Sequence, residues 1–158
     1  MLFRFESEIP PGEVLKLKVE INCREHKPVY KLEKRHFEIL SSWYRGECDI
    51  TTYRVEELLG TKLRALYQRK KGRDLYDIYR SLAADHLINR DEIIKAYREY
   101  MRQEPNGVPS REFYLRNLEA KIFDREFLED TAALLRPDEL YDPQEGFHMV
   151  KKELIGLM

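Results

Sequence analysis

At 158 residues the chain is long enough for one domain and its own apolar core. Charged residues make up 36% of it, but they nearly cancel to a net charge of -1, which excludes a broad basic nucleic-acid surface while leaving local patches open. Two cysteines, Cys23 and Cys48, make neither a disulfide framework nor the CxxC spacing of a zinc site. No apolar run approaches the ~20 residues that span a bilayer, and MLFRFESEIP is acidic where a secretory leader is basic, so the expectation is a soluble, cytoplasmic protein.

In chain order, LFRFES alternates, with Phe3 and Phe5 on one side. In VLKLKVEIN, Leu15, Leu17, Val19 and Ile21 face one way and Lys16, Lys18, Glu20 and Asn22 the other. EIPPGE between them predicts a hairpin turn. HFEIL and CDITTY read as two further strands around a turn at Gly46.

Helix begins after Tyr53. Val55, Leu58, Leu59, Leu63 and Leu66 share one face, and Leu75, Ile78, Tyr79 and Leu82 mark a second helix. Asn89 followed by Glu92 has capping-box spacing for a third, which carries Ile93, Ile94, Tyr97 and Met101. Ser110 caps a fourth with Phe113, Tyr114, Asn117 and Leu118 on one side. Asp124 caps a fifth, ended by Arg136-Pro137, and Asp142-Pro143 opens the last. The fold class is therefore α+β: a partial sheet over residues 1–53, then a helical region over 54–158 packed on it as one compact unit.

Several charged residues stand out against this layout. On a helical wheel the apolar stripe of the first helix centres near Val55, which puts Lys62 about 20° and Arg69 about 40° from the centre. Both side chains can snorkel; Lys62, with apolar turns before and after it, calls more strongly for a counter-charge or an anionic ligand. Asp74 falls at the edge of the buried face of the second helix, in its first turn, where a carboxylate is favoured as a cap or as a partner of Lys62. Asp77 lies about 150° from the stripe and reads as a solvated carboxylate. Glu20, among lysines on the outer strand face, has an ordinary explanation in cross-strand pairing. The run Arg69-Lys70-Lys71-Gly72-Arg73 either grips phosphates or forms a solvated turn. The four histidines suggest no metal site, and there is no GxGxxG, P-loop or nucleophile elbow.

Taken together, ITTYRVEELLGTKLRALYQRKKGRDLYDIY resembles the signature of the AbiEii/AbiGii toxin-like nucleotidyltransferases, of the polymerase-β-like superfamily. The resemblance extends through LKLKVEINCREH and NLEAKIFDREFLEDTAALL. It implies transfer of a nucleoside monophosphate from an NTP to an RNA (tRNA-like) or protein acceptor, and a cognate antitoxin in a phage-defence system. It maps the third carboxylate of a Mg²⁺ site onto Glu20, the phosphate-contacting lysine onto Lys62 and the aspartate of GRDLYD onto Asp74, with Asp77 the second choice. The expected catalytic set is Glu20, Lys62 and Asp74, and the expected nucleotide contacts are Lys62, Arg69, Arg73 and Asp77. The family's Gly-Ser followed by Asp-x-Asp, which supplies two metal-binding carboxylates, has no counterpart in this sequence. Glu20 alone would hold Mg²⁺ weakly, so this chain by itself is expected to transfer little. The alternative is a non-catalytic nucleotide- or protein-binding remnant that forms a homodimer through an open sheet edge.

Overall fold

The computed structural model describes residues 1–8, 12–19, 27–132, 134–136 and 138–158. It is α+β, as the patterning predicts. Among the described residues four strands come first: β1 (Leu2–Glu6), β2 (Val14–Lys18), β3 (Glu33–Leu40) and β4 (Arg45–Thr52). Six helices follow: α1 (Val55–Gln68), α2 (Gly72–Ala84), α3 (Arg90–Arg102), α4 (Arg111–Ile122), α5 (Arg125–Glu129) and α6 (Pro143–Glu153), with a closing 3-10 turn at Ile155–Leu157.

The strands make two separate antiparallel hairpins, β1–β2 and β3–β4. In the first, Phe3 lies opposite Leu17 and Phe5 opposite Leu15, which gathers the apolar residues on one face. That face is uncovered among the described residues: Phe3, Phe5 and Leu17 are each about half exposed. The second hairpin turns at Ser41–Tyr44, where the Ser41 hydroxyl and the Tyr44 backbone bond each other, and not at Gly46. Gly46 lies within β4, opposite Ile39, with the Tyr44 ring covering the space a side chain would occupy.

The core is helical. Leu59, Leu63 and Leu66 of α1, Leu75, Ile78 and Leu82 of α2, Ile93 and Tyr97 of α3, Tyr114 and Leu118 of α4, and Phe147 and Val150 of α6 form one buried cluster. Four helix starts carry the side-chain caps the sequence predicts: Asn89 accepts from the Asp91 and Glu92 N–H groups, Ser110 from Phe113, Asp124 from Phe127 and Asp142 from Gln144.

Three details depart from the periodicity. The buried face of α1 includes Glu56, Glu57 and Gly60 alongside its leucines, so its centre is rotated about 100° from Lys62, which lies at the edge of the packed face. Apolar counting misplaced the stripe because it gave two glutamates and a glycine no weight. On α4 the inner residues are Tyr114, Leu118, Lys121 and Ile122, while Phe113 is exposed. The Tyr114 hydroxyl donates to Leu63 O and the Lys121 ammonium to Leu66 O and Tyr67 O, bonds that fix this face against α1. The fifth helix ends at Glu129, well before Arg136-Pro137. There the chain turns so that Asp130 can accept the Arg73 backbone N–H at 3.2 Å.

At Gly60, α1 packs tightly against α3. A Cβ there would sit 2.8 Å from Ala96 Cβ, 2.9 Å from Tyr97 N and 3.0 Å from Ile93 O, and two of these three atoms are backbone. Gly60→Ala should therefore lower the unfolding free energy by about 1–3 kcal/mol, despite alanine's better helix propensity, as read from the midpoint of urea denaturation.

Candidate functional site

The residues of interest gather on the seam between α1 and α2. Arg69 meets Asp74 and Lys62 meets Asp77, and farther along Leu58 and Ser81 line the same cleft, so the two helices run antiparallel across a three-residue turn. Rising numbers on α1 meet falling numbers on α2.

Asp74 is fully buried. Its Oδ2 accepts from Arg69 Nε at 2.6 Å and its Oδ1 from Arg69 Nη2 at 2.7 Å, a two-pronged guanidinium–carboxylate fork. Lys62 Nζ stands 3.4 Å from Asp74 Oδ1 and 2.6 Å from Asp77 Oδ2. Position in the first turn of α2 adds the favourable end of the helix dipole to the Asp74 carboxylate. In turn, the bond to Asp74 holds the Arg69 guanidinium above its ordinary value, against the opposing effect of its partial desolvation.

These contacts revise the sequence reading at two positions. Arg69 does not simply snorkel; it is the principal partner of Asp74, and Lys62 the more distant one. Asp77, 43% exposed, is the closer partner of Lys62 and so is not merely solvated. Arg73 sits apart, with its Nε 3.9 Å from Asp130 Oδ2. The neighbouring cations are matched too: Lys70 pairs with Asp124 and Glu126, and Lys71 with Glu126 and Asp130. The basic run is thus closed against the acidic edge of α5. Glu20, the expected metal ligand, lies outside the described residues.

Two buried groups escaped sequence reading. Glu57 accepts the backbone N–H groups of Val29 at 2.6 Å and Tyr30 at 2.9 Å, together with the Tyr100 hydroxyl at 2.6 Å. It ties the segment before β3 to α1 and α3. Lys121 closes the last carbonyls of α1, immediately ahead of Arg69. Burial pushes its ammonium down to about 8, the nearby Asp74 charge opposing the shift. A lysine on an inner helix face beside NLEA was a visible signal for Lys121; nothing local marked Glu57, whose partners are distant in sequence.

A divalent ion is poorly served by the described residues. Both oxygens of Asp74 are engaged by Arg69, Asp77 is held by Lys62, and no cluster of three or more His, Cys, Asp or Glu able to hold a metal occurs among the described residues. The seam instead balances two cations against two carboxylates.

The chain was also compared with known families. A family model described as nucleotidyl transferase AbiEii toxin, type IV toxin–antitoxin system, matches residues 1–151. The chain belongs to this AbiEii family. Membership implies a nucleotide substrate and an antitoxin partner for a protein of this kind, and nucleotidyl transferases of this type generally use a divalent metal. No curated protein and no solved structure matches the chain significantly. No described helix is long and apolar enough to cross a membrane.

Two outcomes test this geometry. Arg69→Ala leaves the buried Asp74 carboxylate with only the more distant Lys62, and should cost about 3 kcal/mol of stability, whereas the exposed Lys70→Ala should leave the denaturation midpoint almost unmoved, both read by chemical denaturation. For Lys121, the folded value of about 8 lies below the ordinary 10.5. The unfolded chain therefore binds more protons between these values, so this lysine's burial penalty is fully present below pH 8 and is relieved as the pH rises toward 10.5. The stability of the native chain relative to Lys121→Met should increase from pH 8 to pH 10 in paired denaturation curves.

Proposed function

We propose that the α1–α2 seam is the phosphate-binding element of a nucleotidyl transferase that moves a nucleoside monophosphate from an NTP to an RNA or protein acceptor. The observation that carries this reading is Lys62, an ammonium about one-third exposed and suspended between the buried Asp74 and the exposed Asp77. An exposed ion pair such as Lys62–Asp77 contributes roughly 0–1 kcal/mol, so a phosphate can replace Asp77 as the partner of Lys62 at small cost. Asp74 stays in place meanwhile, because Arg69 holds both its oxygens. Asp77 then acts as a placeholder anion that the triphosphate displaces, Asp74 as the fixed charge that aims Lys62, and Arg69 as the residue that positions Asp74.

In the transfer itself an acceptor oxygen attacks the α-phosphorus while the bond to the bridging oxygen of pyrophosphate breaks, and pyrophosphate leaves with the electron pair. Lys62 would neutralise charge on the outer phosphates, which grows as they leave. Two metal ions usually serve both ends of such a displacement. The described residues offer them no ligand set, and the sequence has neither Gly-Ser nor Asp-x-Asp. Glu20 remains the proposed ligand for Mg²⁺. The chain alone is accordingly an NTP binder that transfers little.

The uncovered apolar row Phe3, Phe5, Leu15 and Leu17 favours a second reading, a non-catalytic remnant that pairs with a second copy of itself. Sedimentation equilibrium decides it: a dimer abolished by Phe5→Arg, in a chain that binds no NTP, would support the remnant.

For the first reading, titration calorimetry with each of the four NTPs should show at least one complex. Lys62→Ala should weaken it tenfold or more, and Asp77→Asn, which removes the competing carboxylate, should strengthen it severalfold. Unchanged affinity in Lys62→Ala would sink the reading.

A further inference from the structure

The seam continues past Lys62. A cleft of about 430 Å³ opens where the end of the β3–β4 hairpin meets α1 and α2, with Arg35, Thr52 and Tyr53 on the hairpin side, Leu58 on α1, Ser81 on α2 and Asp85 just after it. Leu58 precedes Lys62 by four residues and Ser81 follows Asp77 by four, so the cleft begins one helical turn, ~6 Å, from the Lys62–Asp77 pair on both helices. We propose that this cleft is the nucleoside subsite of the same ligand, seating base and ribose while the phosphates lie along the seam at Lys62.

The volume falls in the range of small-molecule sites, and the lining combines an apolar base with a few polar groups, as such sites do. Tyr53 supplies an aromatic face of the kind on which bases stack. The Ser81 hydroxyl donates to Asp77 O at 2.8 Å, which holds its oxygen in one place as an acceptor. Asp85, at the end of α2, is fixed by the Leu87 N–H at 2.8 Å, so its carboxylate is a pre-positioned acceptor for ribose hydroxyls or base N–H groups. The Ser81 bond reaches the backbone of Asp77 itself, so the cleft and the phosphate element share a turn of α2.

This inference rests on the phosphate-binding reading of Lys62, and the test separates the two. Affinities for the four NTPs and for inorganic tripolyphosphate are measured by calorimetry with the whole chain, with Ser81→Trp, which fills the cleft, and with Asp85→Asn at an exposed position. At least one NTP should bind the native chain tenfold or more tighter than tripolyphosphate. Ser81→Trp should erase that excess and Asp85→Asn should reduce it severalfold, with thermal unfolding confirming that both fold. If NTPs and tripolyphosphate bind alike, or if the excess survives both substitutions, the cleft is not a nucleoside subsite, although tripolyphosphate binding lost in Lys62→Ala would still uphold the phosphate element. An NTP that binds in a manner lost with Ser81→Trp but unchanged in Lys62→Ala would reverse the outcome: the cleft would stand and the role of Lys62 would fall. Binding of neither overturns both.

Discussion

A carboxylate with no solvent exposure has to be answered by cations, and the answer given to Asp74 shapes the helical pair around it. The Arg69 fork joins the residue just after α1 to the first turn of α2, across a connection of three residues. That bond sets how closely the two helices can turn back on each other. It also determines which residues then face each other along the seam: Lys62 with Asp77, Leu58 with Ser81. Lys121 works on the same corner from the other side, closing the final carbonyls of α1 with an ammonium that is itself largely out of water. The corner is thus made of charges that depend on one another, and the packing of leucines and tyrosines beneath it supplies the dry surroundings that make those charges strong.

The division between legible and illegible features follows the range of the interactions. Asn89, Ser110, Asp124 and Asp142 satisfy backbone groups two or three residues away, and a local pattern is enough to find them. The α+β order was equally visible, because alternation and helical spacing are local. Glu57 was not: its three donors come from Val29, Tyr30 and Tyr100, and a buried glutamate counts as polar in any periodicity. The same blindness displaced the face of α1 and put Lys62 nearer the centre of the packed side than it is. The association of Lys62 with Asp74 was legible in kind, while the dominance of Arg69 over Lys62 depends on how tightly residues 69–71 turn.

Strands and helices carry their apolar residues differently in this chain. The helices bury most of theirs, Leu58 and Phe113 excepted, whereas both hairpins leave theirs in the open: Phe37 and Ile39 of β3 and Ile50 of β4 are exposed in the second hairpin as Phe3, Phe5 and Leu17 are in the first. A two-stranded sheet has little independent stability in water, so the helical body is the part that sustains the fold. Glu57 and the Tyr30 hydroxyl, which donates to Glu92 O at 2.8 Å, fasten the intervening segment to that body.

The closure of the basic run against α5 has a consequence for any nucleic-acid acceptor. Lys70 and Lys71 already face Asp124, Glu126 and Asp130, and Arg73 faces Asp130, so this stretch arrives with its counter-charges built in. Polyelectrolyte binding draws its strength from small ions released when free cationic groups take their place along the phosphates. A cation that must first leave a carboxylate releases no net charge of that kind. This run would therefore add little to the salt dependence of RNA association, and an RNA acceptor would take its hold from shape and from groups on other surfaces.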